Sequence, residues 1–194
     1  PEAIDFKGKA ITLRSTDPND FSVISSTVVK AIYKSSTFTF RTSEDRSSRL
    51  IGLTILSGQG TANGVYNYSD VTASDYVGGG ILCVDSSPTI ARCIINDSEY
   101  SPGLMGDGIA LIENCSPLIE SCLIAEVGCL YAPAILIRSS DPNAKAEILN
   151  CTIAGNVCAG NSFQVDARGA NPVIRNTIIN AGNYGCALLT ADTN

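Results

Sequence analysis

Apolar positions recur along this chain at a fixed step of 29 residues, and that step limits its possible folds more than any other feature. The stretch SSPTIARCII (86–95) aligns with CSPLIESCLI (115–124), so Pro88 falls on Pro117, Ile90 on Ile119, Cys93 on Cys122 and Ile95 on Ile124. The same step reaches Ile148, Cys151 and Ile153 in ILNCTI, and 26 residues later come Ile174, Thr177 and Ile179 in IRNTII. Upstream, Leu50, Leu53 and Ile55 carry the pattern, followed by a long insertion. Self-similarity at a period of about 20–50 residues is the signature of a solenoid or a propeller.

A second series separates the two. Short apolar runs stand at FTFR (38–41), ILCVD (81–85), IALIE (109–113), ILIR (135–138), FQVD (163–166) and ALLT (187–190). They are bounded by Gly, Asn, Asp, Ser and Pro, as strands between turns are, and no long capped helical pattern is evident. Two or three short strands in each 23–29 residues suit one turn of a β-helix and are too few for a four-stranded propeller blade. In such a coil, equivalent residues of successive turns stack about 4.8 Å apart. Ile90, Ile119, Ile148 and Ile174 then form one internal ladder, and Ile95, Ile124, Ile153 and Ile179 another. Cys93, Cys122 and Cys151 form a third, continued by Leu53 and Thr177.

The expected fold class is therefore all-β: one right-handed parallel β-helix of about six to seven coils, the hand following the crossover rule for parallel strands. Residues 1–55 are read as N-terminal coils, 56–80 as an extruded loop and 81–194 as regular repeat coils, the last strand lying in mid-coil. The first residues, PEAIDFKGK, lack an initiator Met and a signal peptide, which reads as a processed chain or a piece of a larger one.

The sequence also resembles a family. GGGILCVDSSPTIARCIIND and GDGIALIENCSPLIESCLIA are similar to the repeats of secreted bacterial right-handed parallel β-helix proteins of the pectate-lyase-like superfamily. The opening IDFKGKAITLRSTDPND resembles the first strand of those proteins. The resemblance implies the fold and a secreted or cell-surface location. Function stays open, because the superfamily includes enzymes, adhesins and structural fibres.

Composition excludes several classes. A net charge of −6 argues against a nucleic-acid partner, which needs clustered Lys and Arg. No apolar run approaches the roughly 18 residues of a membrane span. Histidine is absent, which removes the commonest general base and metal ligand. The eight cysteines include no Cys-x-x-Cys, so no metal site and no cofactor is expected.

Four sets of residues remain as candidate sites. Cys93, Cys122 and Cys151 read as small buried hydrophobes. Cys129 and Cys158, again 29 apart and in Gly-containing turns, are the best disulfide pair for a secreted protein. The family's enzymes work on the outside of one sheet, and alternation places Leu82, Val84, Ala110, Ile112, Leu136, Arg138, Gln164, Asp166, Ala187 and Leu189 on that outer face. It is mostly aliphatic and stacks no two carboxylates, whereas glycan hydrolysis or lysis needs a carboxylate pair or a base beside a metal. Left exposed, Leu82, Val84, Ala110, Ile112, Leu136 and Leu189 form a protein–protein interface, joined by inward Leu188 of the last coil; the alternative is a covering loop. Tyr66, Tyr68 and Tyr76, in the loop SGQGTANGVYNYSDVTASDYVGGG (57–80), are candidates for stacking on sugar rings.

Together these point to a non-catalytic extracellular structural or interaction β-helix. It assembles with itself head to tail into a filament, or serves as part of a larger surface protein with another extracellular partner. The alternative is a carbohydrate-binding module or a polysaccharide-lyase-like enzyme acting on an extracellular glycan.

Overall fold

A computed structural model of the chain describes residues 3–31, 35–62, 76–96, 104–127, 133–156, 163–180 and 186–191. Three parallel sheets run along it. The first has seven strands: Ile4–Asp5, Phe38–Phe40, Ile81–Val84, Ile109–Ile112, Ile135–Arg138, Phe163–Arg168 and Cys186–Ala191. The second has six: Thr12–Arg14, Arg49–Ile51, Thr89–Ala91, Leu118–Glu120, Glu147–Leu149 and Val173–Arg175. The third also has six: Val28–Lys30, Thr54–Leu56, Ile94–Asn96, Leu123–Ala125, Thr152–Ala154 and Ile178–Asn180. The chain visits the three sheets in turn six times and begins a seventh coil with Cys186–Ala191.

The strand registers reproduce the sequence ladders. Ile90 pairs with Leu50 and Ile119, and Ile148 pairs with Ile119 and Ile174. The Ile95 ladder runs likewise through Ile55, Ile124, Ile153 and Ile179. The first coil adds Leu13 to one ladder and Val29 to the other. In the middle coils these isoleucines are fully buried, and they form one continuous core with Phe38, Phe40 and the inward residues of the first sheet. Burying an isoleucine contributes about 1.5–3 kcal/mol, so each coil depends on its neighbours for most of its stability.

One corner explains the cysteine ladder. Between the second and third sheets each coil turns on a single left-handed residue: Gly52, Arg92, Ser121, Asn150 and Asn176, with φ between 49° and 65°. The next residue points inward, and there Leu53, Cys93, Cys122 and Cys151 are buried. Asn adopts this conformation readily; Arg92 and Ser121 are held in it by coil-to-coil bonds from their N–H groups to the carbonyls of Glu120 and Leu149. Gly52 is required for a second reason: a Cβ there would lie 2.5 Å from Cβ of Pro18 in the first coil.

That first coil departs from the pattern. Its corner opens into an Asx turn, in which Asp17 accepts from the Asn19 N–H, and a six-residue helix, Phe21–Ser26. Asp20 caps the helix by accepting the Ser22 N–H at 2.8 Å. Six residues are too few for a helical period to show in sequence. The second Asx-Pro segment also forms its turn, with Asp141 accepting from the Asn143 N–H.

Two expectations need correction. The run FQVD (163–166) of the second series stands two residues out of step: Val165 pairs with Ile135, and Ala167, beyond that run, stacks in register with Ile137, Leu111 and Cys83. An even shift preserves which side chains point inward, and the alternation therefore hid it. The described parts of segment 56–80, residues 56–62 and 76–80, do not simply project from the coil either. Thr61–Ala62 pairs antiparallel with Tyr76–Val77, and that strand pairs parallel with Leu104–Met105, making a small sheet in which Val77 is fully buried.

Candidate functional site: the three outer faces of the coil

The first outer face is closed. Leu82, Val84, Ala110, Ile112 and Leu136 are buried with Val77 in a second apolar cluster, against which Met105 packs. The expected exposed interface at these positions is thus overturned: the small sheet covers them, as apolar area gains more from a lid than from water. The lid can approach because Gly106 lies directly on the stripe; a Cβ there would stand 2.6 Å from Leu136 Cβ. Leu188 and Leu189 occupy the seventh strand, in register with Val165 and Asp166.

The polar end of this face is built from three side chains. Arg138 is fully buried and donates to Asp166 Oδ2 at 2.8 Å, and also to the carbonyls of Ile137 and Asp166. Arg168, stacked on Arg138, approaches Asp166 Oδ1 at 3.2 Å. Gln164 is buried as well, its carbonyl oxygen accepting from the Asn156 carboxamide at 2.7 Å. Two guanidinium groups on one carboxylate occupy its lone pairs, so Asp166 is held as a structural counter-ion. The other carboxylate at an outward position of this sheet among the described residues is Asp5, five coils away at about 4.8 Å per coil. That separation is far beyond the roughly 5–9.5 Å that a glycosidase pair requires. No group of three or more His, Cys, Asp or Glu side chains suited to a metal ion occurs among the described residues.

Two features here were not legible in sequence. Glu44 is 3% exposed and accepts from the Gly8 and Thr42 N–H groups and from the Ser86 hydroxyl, tying three coils together. Burial pulls its pKa upward, but these hydrogen bonds outweigh the burial and hold the carboxyl below its ordinary value. Its sequence neighbourhood, RTSEDRSS, reads only as a polar loop. Cys115 lies buried near Cys83, and burial pushes its thiol up to about 12.

Of the other sequence candidates, Cys93, Cys122 and Cys151 are buried free thiols, each sulfur set to donate to a backbone carbonyl. Cys129, Cys158, Tyr66 and Tyr68 lie outside the described residues. Tyr76 is half-buried in the small sheet.

The third outer face carries no charge after the first coil; Thr54 and Ile94 on it are buried, and it becomes exposed toward the sixth coil. Its outward residues are Thr54 and Leu56, Ile94 and Asn96, Leu123 and Ala125, Thr152 and Ala154, then Ile178 and Asn180. Ile178 is 64% exposed. The second outer face is basic and most open in its first and last coils, since outward Ile51, Thr89 and Ala91 are buried. Arg14, Arg49 and Arg175 project from its strands and Arg46, Arg92 and Lys145 from its edges, against Asp45, Glu120 and Glu147. Arg46 bonds Glu147 at 2.5 Å, spanning from the second coil to the fifth.

Three parallel sheets with a one-residue corner repeated in every complete coil after the first define a solenoid of the parallel β-helix class. The chain belongs to the right-handed β-helix region family, whose model matches residues 19–194. No curated protein and no solved structure matches it. No helix among the described residues is long and apolar enough to cross a membrane.

Proposed function

We propose that this β-helix is a non-catalytic structural or interaction module that acts outside the cell. The observation that carries the reading is the closed first face: its aliphatic stripe lies under a lid, and its outward carboxylate, Asp166, is held between Arg138 and Arg168. A base for proton abstraction, or an acid–base carboxylate pair, would have to be reachable by substrate. The open faces, basic on one side and uncharged on another, suit contacts with partners. The extracellular placement follows from the resemblance of the repeats to secreted proteins.

Assembly through the coil ends is part of this proposal. Among the described residues, strands Ile4–Asp5, Thr12–Arg14 and Val28–Lys30 each pair on one side only, and Ile4, Leu13 and Val29 are only partly buried. With Leu53 they line a depression of about 370 Å³. A further coil laid there, from a second copy or from the same polypeptide, completes the core and pairs the open strand edges.

Purified protein incubated with polygalacturonate, alginate and xylan should release neither unsaturated sugar ends nor reducing ends. Turnover that is lost in Asp166→Asn would overturn the non-catalytic reading. Sedimentation over a range of concentrations tests self-assembly: growth in mass that is abolished by Leu13→Asp supports it, and an unchanging monomer defeats it.

A further inference from the structure

We infer that the basic second face docks an extended acidic segment of a partner protein, seated between Lys145 and Arg175. This assigns a partner chemistry to the interaction role above and rests on that reading. The charge distribution is the first argument. Six of the chain's thirteen basic residues lie on or beside one sheet with three acidic ones, while the chain as a whole carries −6. Among the described residues, Arg14, Arg49, Arg92, Lys145 and Arg175 make no ion pair. They run from the first coil to the sixth, about 24 Å at 4.8 Å per coil. Like charges gathered on one face raise the local potential and steer an oppositely charged chain toward it.

The second argument is the shape and lining of the fifth and sixth coils. There a depression of about 380 Å³ is lined by the apolar side chains of Leu149 and Val173. Lys145 and Arg175 line it as well, with Asn150 and Asn176. Glu147, the one carboxylate in the depression, is bonded by Arg46, and that guanidinium is the main cause of its lowered pKa. A negative charge approaching the depression therefore meets two cations and a compensated anion. A lining both apolar and cationic fits a peptide that alternates acidic and aliphatic residues: carboxylates to Lys145 and Arg175, a side chain on Leu149, and backbone amides to Asn150 and Asn176. The lining residues of this depression include no aromatic side chain, which nucleic acid and sugar rings would need for stacking.

The test is fluorescence anisotropy of the full chain with a labelled decapeptide of alternating Glu and Leu. Saturable binding should appear at low salt and fade as the screening length falls from about 8 Å at physiological salt to about 3 Å at 1 M. Lys145→Glu with Arg175→Glu should weaken it by about tenfold or more. Lys7→Glu with Lys9→Glu, the same charge change away from the depression, should leave it within about twofold. Leu149→Ser should weaken it without changing the salt dependence. Circular dichroism of each variant confirms folding. Absent binding, equal loss in the Lys7/Lys9 control, or tighter binding of polygalacturonate or oligo-dT overturns the proposal. Glycan turnover by the same protein would instead sink the non-catalytic reading and leave the peptide measurement intact.

Discussion

The outer faces of the first and third sheets are made of similar residues and meet opposite fates. Leu82, Ala110 and Leu136 on one, and Ile94, Leu123 and Ile178 on the other, are aliphatic outward positions of the coils. The first set is fully buried, while on the other face burial falls from Ile94, 9% exposed, through half-buried Leu123 to Ile178, 64% exposed. The difference arises outside the repeats. The first face is covered by segments outside the repeats: Tyr76–Val77 pairs with Thr61–Ala62 and with Leu104–Met105, after which the chain crosses the stripe at Gly106. Apolar character in a repeat thus says that a surface wants a cover, and connecting segments decide whether this chain supplies it.

The largest effect should come from placing a carboxylate on each face. Leu136→Asp buries an unpaired charge beneath the lid and should cost more than about 4 kcal/mol, enough to abolish cooperative folding. Ile178→Asp, on the open face, should stay within about 1 kcal/mol. Urea unfolding of both variants decides it, and equal losses would break the comparison.

Next in size is the charged end of the covered face. Asp166→Ala strands the fully buried Arg138 without its carboxylate and should cost about 3–5 kcal/mol by the same measurement. A loss below about 1 kcal/mol would mean that this face admits water.

The lid itself can be weighed. Val77→Ala removes two buried methyl groups from the second cluster, and the expected loss is about 1.5–3 kcal/mol. Hydrogen exchange should rise in Ile81–Val84 and Ile109–Ile112 and stay unchanged in Leu123–Ala125 of the third sheet.

The smallest predicted effect is acid sensitivity. Glu44 has a folded-state pKa below the 4.5 of an ordinary glutamate, so its stabilisation is present above about that pH and is lost as pH falls through the lower folded value. Thermal unfolding of the native chain should weaken more steeply below pH 4.5 than that of Glu44→Gln. Parallel pH profiles would show that Glu44 contributes nothing charge-dependent to the tie between the coils.

Much of the coil was legible because stacking converts a 29-residue sequence period into direct contact. Ile90, Ile119 and Ile148 are core residues for a reason visible in one dimension, and so is the inward set of cysteines. The two-residue shift at Val165 was not, since alternation has period two and an even slip leaves the same pattern. The helix Phe21–Ser26 was missed because it is shorter than two turns, although Asp20 before Ser22 is the trace of a cap.

The sequence by itself determined the architecture: repeat length, short strands stacked coil on coil, and which residues face inward, Cys93, Cys122 and Cys151 among them. Those are local and periodic properties, set by side-chain alternation and turn chemistry. Only the tertiary structure decided what the outside does. The cover over Leu82 and Leu136, the capture of Asp166 by Arg138 and Arg168, and the tie of Glu44 to Gly8 and Ser86 join residues whose separations follow no period. Such contacts depend on where aperiodic insertions land in three dimensions, and a one-dimensional pattern holds no record of that.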